Sequence, residues 1–430
     1  MSTSVRYLRL YLHQPHGGRR AIGYLSEYGD ILRVSFDEDY IADDNRPRLS
    51  LALEPGEGED ARAVLRAQRD RRVLNQGYRL PTYLSNLLPE GVNRQRLADQ
   101  RGCATDQEFE LLAAAGHDLL GALEVEPAND GVPNDVRHWH TTMGFDVLEP
   151  GFVDTPVIDG ASLPGVVTKF SAIQEGRRYT VKRHDQAGSF IIKLPTSTHP
   201  DLVANEITGY RLCEAQGLDC AQALVVPSAD VDLPEAIPFP EVLVVSRFDR
   251  GPVGQRIHAE EFAQAMGLEP RHKYGTDLIV DFATALSLLQ TYSTRPADIA
   301  EFVNRFVAFI GMGNVDAHFK NWALIYPDGR NPRLAPLYDP VCVAAFFPGT
   351  DDNTYAHNKA IDKRLRSFTW ADLQQLLQVA GIQSHARVLN QAKKFVIKAK
   401  KTWPQVLQTA PEPVRLAVME RMAGGVALFD

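Results

Sequence analysis

The sequence predicts a fold of the α+β class, because strand-like and helix-like patterns fall in separate stretches of the chain. Alternating or clustered apolar residues at 5–12, 21–25 and 31–36, separated by Gly-rich and Asp-rich turns, indicate a small antiparallel sheet at the start. Between 299 and 310, apolar residues recur at helical spacing and predict a largely buried helix. At 430 residues, 44% of them hydrophobic, the chain is long enough for two or three domains.

Composition and charge exclude several classes of protein. The net charge of -8 and the pI of about 5.9 give no whole-chain electrostatic reason for nucleic-acid binding. No stretch approaches about 18 consecutive apolar residues, and the N-terminus lacks the apolar region of a signal peptide, so we expect a cytoplasmic protein without a membrane segment. The lack of a C-x-x-C pair argues against a zinc site or a disulfide framework, and a reducing cytosol suits the four cysteines, Cys103, Cys213, Cys220 and Cys342.

A first structural unit is expected to end near residue 125. After the sheet, 81–91 packs apolar residues into a short stretch that Pro and Gly close, and 106–115 resembles a helix. The stretch 128–135 is turn-forming and poor in apolar residues, which predicts a linker.

A small-residue loop and the strand pattern that follows it are candidates for phosphate contacts. Residues 162–169 contain Gly165 and end in Lys169, so their backbone N–H groups could cradle phosphates, although they match neither common glycine-rich phosphate motif. An ordinary hairpin loop is the alternative. The β-branched and aromatic run 189–195 carries Lys193, which either corresponds to the strand lysine that contacts ATP phosphates in kinases or faces solvent.

A helix and a hinge are predicted next. The stretch 202–214 reads as an amphipathic helix with Glu206 in its first half, where this residue is either the partner of the strand lysine or a solvated surface group. A buried strand at 242–245 leads into Ser-Arg-Phe-Asp-Arg at 246–250, as at the junction of the two lobes of a kinase fold. The Asp of this segment, Asp249, either reaches a ribose or pairs with a neighbouring arginine.

The strongest chemical signal is a polar loop between the predicted helix and a hairpin. Asp316 and Asn321 have the Asp-x-x-x-x-Asn spacing of protein-kinase catalytic loops, in which the Asp is the base and the Asn binds metal. Strands at 322–326 and 333–337 bring Asp339 back beside Asn321. Phosphoryl transfer from ATP needs one carboxylate for the attacking hydroxyl and two oxygen ligands for magnesium. A loop that merely caps the helix is the alternative.

Five segments of the chain carry a family resemblance, in this order: 86–91, 120–123, 162–169, 244–250 and 316–339. The first reads Asn-Leu-Leu-Pro-Glu-Gly, and its combination with the catalytic loop is very specific. On these segments the chain resembles the HipA family, the Ser/Thr-kinase toxins of type II toxin–antitoxin systems. The resemblance extends from the N-terminal sheet to the C-terminal helices.

The resemblance implies a HipA-like kinase fold in three parts. These are a small β-rich N-terminal subdomain at 1–125, an α/β N-lobe with the phosphate loop and hinge at 126–250, and a mainly helical C-lobe at 251–430 with the catalytic loop and a metal-binding Asp. The implied activity is that of an ATP-dependent Ser/Thr protein kinase. Two further readings stay open, a small-molecule phosphotransferase of kinase-like fold and a catalytically weak module that only engages an antitoxin and DNA.

The resemblance also implies roles for individual residues. Asp316 would be the catalytic base, and Asn321 with Asp339 would bind Mg²⁺. Ser162 matches the serine that is autophosphorylated in family members, an event that ejects the loop and silences the kinase. ATP would be bound by residues from the phosphate loop to the metal-binding Asp, namely Pro164, Gly165, Val166, Val167, Thr168, Lys169, Lys193, Ser246, Arg247, Phe248, Asp249, His318, Phe319, Lys320, Asn321, Tyr338 and Asp339.

The chain departs from the family pattern at three of these positions. Family loops usually carry Gln and then Pro or Glu where Val167 and Thr168 stand, which puts the geometry of the phosphate loop in doubt. A Glu is common where Ser246 stands, and this change matters less because backbone atoms of any residue can make hinge contacts.

The resemblance further implies partners. Relatives bind a small helix-turn-helix antitoxin, HipB, which bridges the toxin to operator DNA. The best-known members phosphorylate an aminoacyl-tRNA synthetase, which blocks translation and induces dormancy, or persistence. The Lys-rich stretch 393–401 predicts a basic helix that either contacts DNA phosphates or is a solvated helix face.

Overall fold

The computed structural model describes residues 4–141, 144–156, 169–181, 188–233, 237–347 and 355–430. The strands are β1 Val5–His13, β2 Arg19–Tyr28, β3 Ile31–Phe36, β4 Leu74–Asn75, β5 Leu123–Pro127, β6 His138–Thr141, β7 Gly144–Val147, β8 Pro150–Gly151, β9 Lys169–Glu175, β10 Arg178–Val181, β11 Phe190–Lys193, β12 Ala223–Pro227, β13 Val231–Asp232, β14 Glu241–Ser246, β15 His258–Glu261, β16 Ala323–Tyr326 and β17 Arg333–Leu334. The helices are α1 Glu38–Ala42, α2 Ala61–Arg66, α3 Thr82–Ser85, α4 Gly91–Arg101, α5 Glu108–Ala115, α6 Asn134–Arg137, α7 Leu202–Gln216, α8 Phe262–Ala265, α9 Leu278–Tyr292, α10 Ala297–Met312, α11 Ala356–Arg366, α12 Trp370–Val379, α13 His385–Val406 and α14 Glu412–Glu420. The α+β class predicted from the sequence is confirmed.

The first sheet has the order β4-β3-β2-β1-β5, and β8 pairs with the start of β1. The strands β1, β2 and β3 match the three predicted runs of alternating or clustered apolar residues between Gly-rich and Asp-rich turns. The side chains of one face pack with α3, α4 and α5 in a common apolar core. This sheet and its helices form the β-rich N-terminal part of the molecule.

The stretch predicted as a linker, 128–135, is mostly exposed, but it also packs on the first sheet at Ala128 and Val132. Val132 and Val136 are buried beside Trp139, against β1 and β2 of the first sheet. The guanidinium of Arg33 lies 3.9 Å from the centroid of the Trp139 ring and donates to the carbonyl oxygen of Val136. The few apolar residues of this stretch suffice to hold it on the sheet, although its composition is that of a loop.

The second sheet has the order β12-β14-β11-β9-β10-β13, and α7 packs against it. A third sheet, β15-β16-β17, lies among the C-terminal helices, whose apolar faces form the largest core of the described residues. None of the described helices combines the length and the apolar character needed to span a bilayer.

Two glycines place the elements around the second sheet. Gly313 ends α10 with φ 75, and a Cβ there would lie 2.7 Å from the Ala344 side chain, so the turn requires glycine. Gly209, in the middle of α7, lies so close to Pro340 that a Cβ would fall 1.6 Å from its carbonyl oxygen. The Asn205 side chain holds the same contact by exchanging two hydrogen bonds with the backbone of Cys342, at 2.8 and 3.0 Å. The helix that carries Glu206 is therefore fixed beside the segment that follows Asp339.

Candidate active site

A cavity of about 80 Å³ lies between the second sheet and the loop that follows α10. Most of the predicted ATP-binding residues that the structure describes line it, namely Lys169, Lys193, Ser246, Arg247, Phe248, Asp249, His318, Lys320, Asn321, Tyr338 and Asp339. Its remaining walls come from residues that the sequence did not single out for this cavity, namely Glu90, Leu120, Ile191, Ala221, Val245 and Glu261.

Lys193 is a buried cation held between two carboxylates. Its Nζ lies 2.5 Å from Oε1 of Glu206 and also donates to the Asp339 carboxylate. Burial lowers the pKa of this ammonium, but the charges of Asp339 and Glu206 outweigh burial and raise the pKa above its usual value. The surface-exposed alternatives for Lys193 and Glu206 are therefore wrong, since both side chains are less than a tenth exposed.

A second lysine stands directly across the sheet from the first. Lys169 on β9 and Lys193 on β11 are paired residues in the antiparallel register. Burial lowers the pKa of Lys169, the charge of Asp339 raises it, and the Lys193 charge lowers it further, with a net shift downward. Like charges in directly opposite positions repel each other across a sheet. The Asp339 carboxylate offsets this repulsion in the structure.

Asp339 adopts an unusual backbone conformation at the end of the predicted hairpin. Its φ of 56 lies in the left-handed region, which few residues other than glycine occupy. The Asn314 side chain donates to its carbonyl oxygen at 3.1 Å. Burial would raise the pKa of the Asp339 carboxyl, but the charges of Lys193 and Lys169 lower it below its usual value. The carboxylate is thus kept ionised in a conformation that the surrounding loop imposes.

Asp316 is half-buried in a loop whose hydrogen bonds fix its shape. The Tyr274 hydroxyl donates to the Asp316 carboxylate. The Asn321 side chain donates to the backbone oxygen of Asp316 at 2.9 Å, and Trp322 Nε1 donates to that of Ala317 at 3.1 Å. Burial and the Asp316 charge both raise the pKa of Tyr274, so the tyrosine remains a donor. Asp316 itself does not line the cavity that holds Lys193 and Asp339, but His318, Lys320 and Asn321 of its loop do.

The N-terminal part of the molecule reaches the catalytic loop through Glu90 and Asn86. Lys320 Nζ lies 2.6 Å from Glu90 Oε1 and donates to the Asn86 carbonyl at 2.9 Å, and Lys273 Nζ donates to Glu90 Oε2 at 2.7 Å. Burial would raise the pKa of Glu90, but the Lys320 and Lys273 charges lower it to about 2. Both residues belong to the Asn-Leu-Leu-Pro-Glu-Gly segment, which the sequence identified without a role. Glu261 also lies 3.8 Å from Lys320.

The hinge segment is fixed by ion pairs instead of offering free side chains. Asp249 accepts from Arg247 at 2.8 Å, from Arg250 at 2.7 Å and from the backbone N–H of Gly121 at 2.7 Å. The charges of both arginines lower the pKa of this buried carboxyl, against the effect of burial. Both arginines also bind Asp118, which leads into the Leu-Gly-Ala-Leu segment. The sequence left two roles open for Asp249, an ion pair with a neighbouring arginine and a contact with a ribose. The structure shows the ion pair, and the ribose contact stays a prediction.

Phe319 is an exception among the predicted ATP-binding residues. Its ring is buried in the core, with its centroid 4.9 Å from that of Phe282, and it does not line the cavity that holds Lys193 and Asp339. The loop turns this apolar ring inward, and the predicted place of Phe319 in the nucleotide site stays a prediction. The predicted loop residues Ser162, Pro164, Gly165, Val166, Val167 and Thr168 lie outside the described residues, and their roles stay predictions.

Two lysines of the predicted basic helix make contacts within the molecule. On α13, Lys398 donates to the Gln216 carbonyl at 2.8 Å, and Lys393 Nζ lies 5.6 Å from the Trp370 ring centroid. Most apolar residues of this helix pack in the C-terminal core, and its lysines lie on the exposed side. These contacts leave both interpretations of the helix open, a contact with DNA phosphates and a solvated helix face.

Comparisons with known proteins agree with this architecture. Residues 161–403 match the HipA-like C-terminal domain and residues 16–126 match the HipA N-terminal domain. The "Putative kinase Y4dM" of Sinorhizobium fredii is 32% identical over 395 residues, which cover 89% of this chain and 88% of that protein. The serine/threonine-protein kinase toxin HipA of Shewanella oneidensis is 27% identical over 284 residues, covering 61% of this chain and 62% of the toxin.

The fold is also shared with a solved structure. A chain of the Shewanella oneidensis MR-1 complex of HipA, HipB and operator DNA has a TM-score of 0.64 at 21% identity, and the match covers 98% of this chain and 96% of that one. One domain match spans more than half of the sequence, and the Sinorhizobium relative exceeds 30% identity over most of both chains. The chain therefore belongs to the HipA family.

Proposed function

We propose that this chain is an ATP- and Mg²⁺-dependent Ser/Thr protein kinase that acts as the toxin of a toxin–antitoxin pair. The observation that carries the proposal is the Lys193 ammonium held between Glu206 and Asp339 in a cavity shared with Asn321. A strand lysine, a helix glutamate and a metal-binding aspartate in contact are the parts with which kinases hold ATP phosphates. The similarity to a protein named as a Ser/Thr-kinase toxin supports the same conclusion.

The two lysines that face each other across β9 and β11 are suited to a polyphosphate. Lys169 and Lys193 repel each other, and the charge of the Asp339 carboxylate acts favourably on both ammonium groups. Phosphate oxygens in this cavity would be attracted by both ammonium groups. The ion pairs of Arg247 and Asp249 would keep the hinge backbone in place for the adenine.

The oxygen donors present fit a magnesium ion. Asn321 uses its amide N–H group on the Asp316 carbonyl, and the ionised Asp339 carboxylate lies in the same cavity. Among the described residues there is no group of three or more His, Cys, Asp or Glu that could hold a metal. That agrees with Mg²⁺, which one or two carboxylates and the substrate phosphates usually bind together. When bound, the ion would neutralise charge on the phosphates.

In the proposed reaction, the Asp316 carboxylate orients a Ser or Thr hydroxyl and accepts its proton. The hydroxyl oxygen forms a bond to the γ-phosphorus, the bond from that phosphorus to the bridging oxygen breaks, and ADP leaves. Tyr274 and Asn321 hold the loop that carries Asp316. We also propose that Ser162 is autophosphorylated, because its position in the sequence matches the serine modified in the family.

A small helix-turn-helix antitoxin of the HipB type is the proposed partner. The structural neighbour is a chain of a complex of HipA, HipB and operator DNA, and it matches nearly the whole of this chain. Operator DNA would be bound through the antitoxin. The proposed substrate is a protein of translation, such as an aminoacyl-tRNA synthetase.

Growth of a bacterial host tests this function. Expression of the wild type should arrest growth, Asp316→Asn expressed to the same level should not, and co-expression of a short helix-turn-helix protein from the adjacent reading frame should relieve the arrest. Phosphopeptide mass spectrometry of the arrested cells should reveal a newly phosphorylated Ser or Thr in a translation protein. Normal growth with the wild type, and no new phosphopeptide, would contradict the proposal.

A further inference from the structure

An apolar cavity of about 110 Å³ is bounded by the catalytic loop, which also bounds the cavity that holds Lys193 and Asp339. Leu278 and Phe282 of α9, Phe309 of α10 and Ile361 of α11 form much of its wall. We propose that this cavity receives an apolar side chain of the protein segment that the kinase phosphorylates, next to the acceptor Ser or Thr. The proposal rests on the proposed function and adds a specificity site to it.

The catalytic loop connects this cavity to Asp316. Val315 and Ala317, on either side of Asp316, line the apolar cavity, and Tyr274, which donates to the Asp316 carboxylate, lines it as well. His318 lines both cavities. The acceptor hydroxyl must come within hydrogen-bond distance of Asp316, and successive residues of an extended chain lie only about 3.5 Å apart. A side chain adjacent to the acceptor is therefore within reach of the cavity.

The size and chemistry of the cavity select its occupant. An engineered cavity of about 150 Å³ lined by aliphatic and aromatic residues binds benzene, so this volume suits an aliphatic side chain such as that of Leu, Ile or Met. No carboxylate lines the cavity among the described residues, and the exposed Arg364 at its edge makes no ion pair among them. A Lys or Arg in the substrate would therefore meet apolar walls and a like charge.

Two substitutions fill the cavity without touching the nucleotide site. Ile361→Trp places an indole at a partly buried position of the wall, and Leu278→Trp does the same from α9 if the first variant folds poorly. The matched control for Ile361→Trp is Ile397→Trp, at a position of α13 that is 56% exposed. The matched control for Leu278→Trp is Val280→Trp, at a position of α9 that is 52% exposed. Calorimetric binding of Mg·ATP reports whether each variant keeps a folded nucleotide site.

The test uses synthetic peptides with one Ser or Thr and varied neighbours, in pools that hold Leu, Met, Asp, Lys or Gly at each flanking position. The wild type should prefer the apolar residue at one position by at least about tenfold in kcat/KM, as hydrophobic pockets commonly discriminate. Ile361→Trp should reduce this ratio to less than about twofold, and Ile397→Trp should leave it unchanged.

The remaining outcomes separate this proposal from the proposed function. Phosphorylation without a preference, or a preference that both cavity variants retain, would overturn the cavity assignment and leave the kinase standing. ATP turnover without phosphorylation of any peptide would also overturn it, because peptide side chains are the proposed occupants. If the chain neither consumes ATP nor labels a peptide, the proposed function fails and the cavity assignment falls with it.

Discussion

Lys193 and Asp339 form the pair of charges on which the candidate site depends. The Lys193 ammonium donates to the Asp339 carboxylate, Glu206 also contacts Lys193, and the charge of Lys169 also acts on Asp339. A buried charge without a partner costs several kcal/mol, so neither side chain can be removed without consequence for the other. The proposed binding of metal by Asp339 and the stability of the loop therefore have to be separated experimentally.

Asp339→Ala separates these two effects when nucleotide binding is measured with and without metal. Loss of an anionic oxygen ligand should weaken Mg·ATP binding at least about tenfold, or about 1.4 kcal/mol, in calorimetry. Binding of ATP in excess EDTA should change much less. An equal loss in both conditions would mean that Asp339 serves only as the partner of Lys193.

Ser162 carries the prediction for regulation. A phosphate on this residue adds up to about two negative charges to the segment that ends in Lys169, and these charges would repel the phosphates of ATP. The wild type incubated with Mg·ATP should gain a phosphate on Ser162 and lose nucleotide affinity, Ser162→Asp should imitate the loss, and Ser162→Ala should be the more persistent toxin.

Mass spectrometry measures this prediction directly. Thr168 is a competing acceptor in the same loop, so both residues have to be followed. An active kinase with no phosphate on Ser162 or Thr168 after prolonged incubation would contradict the regulatory role and would mean that the loop only binds phosphates.

At the scale of the elements, the sequence predicted those helices and strands whose patterns depend on residues close together in the chain. The helix before the catalytic loop is found as α10, and the hairpin after the loop is found as β16 and β17. These elements have regular apolar periodicity and end at Gly or at a Pro-Asp-Gly turn, which are local signals. The burial of Glu206 had no local signal, because it depends on the close approach of Gly209 to Pro340, far along the chain.

The contact of the Asn-Leu-Leu-Pro-Glu-Gly segment with the catalytic loop gives a prediction about pH. In the folded protein the pKa of Glu90 is about 2, whereas an unfolded glutamate titrates near pH 4.3. The Glu90 contribution to stability is therefore complete above about pH 5 and is lost as the pH falls toward 2. Glu90→Gln should lower the stability at pH 7 by about 3 kcal/mol or more, because Lys320 keeps its charge in a buried position.

Denaturation midpoints between pH 3 and pH 7 measure this effect. The loss of stability on acidification should be smaller in Glu90→Gln than in the wild type, since the variant has no carboxylate to protonate at this site. Glu57→Gln, on an exposed residue of the same N-terminal part, is the matched control and should follow the wild type. Identical acid profiles for Glu90→Gln and the wild type would refute the proposed contribution of the Glu90 carboxylate to stability.

At the scale of the whole molecule, the N-terminal part is held against the rest by buried polar contacts. Glu260 accepts from the Ser50 hydroxyl at 2.7 Å and from the Leu51 N–H at 3.0 Å, and Asp118 binds two arginines of the hinge. Asn86 and Lys320 meet although they are 234 residues apart in sequence. Spacing motifs do not reveal such contacts, because they arise only when distant segments pack together.

The site as a whole was predictable where its chemistry follows a fixed spacing. Asp316 and Asn321 were singled out by their spacing, Asp339 by the predicted hairpin and Lys193 by its place at the end of a strand. Lys193, Asn321 and Asp339 line one cavity, and their roles stay predictions. Glu90 and Glu261 were not assigned to the cavity, since a glutamate in a loop or at a strand end has no pattern that separates a buried ion pair from a solvated one. The Phe319 ring is buried in the core, because sequence proximity to His318 does not fix the side to which a ring turns.

Transfer of the γ-phosphate of ATP by the purified chain tests the central claim most directly. With γ-labelled ATP and Mg²⁺, the wild type should label protein, and Asp316→Asn should lose at least about 100-fold in rate while it still binds Mg·ATP, because an amide cannot accept the hydroxyl proton. Label transfer by Asp316→Asn at the wild-type rate, or none by a wild type that binds Mg·ATP, would contradict the account.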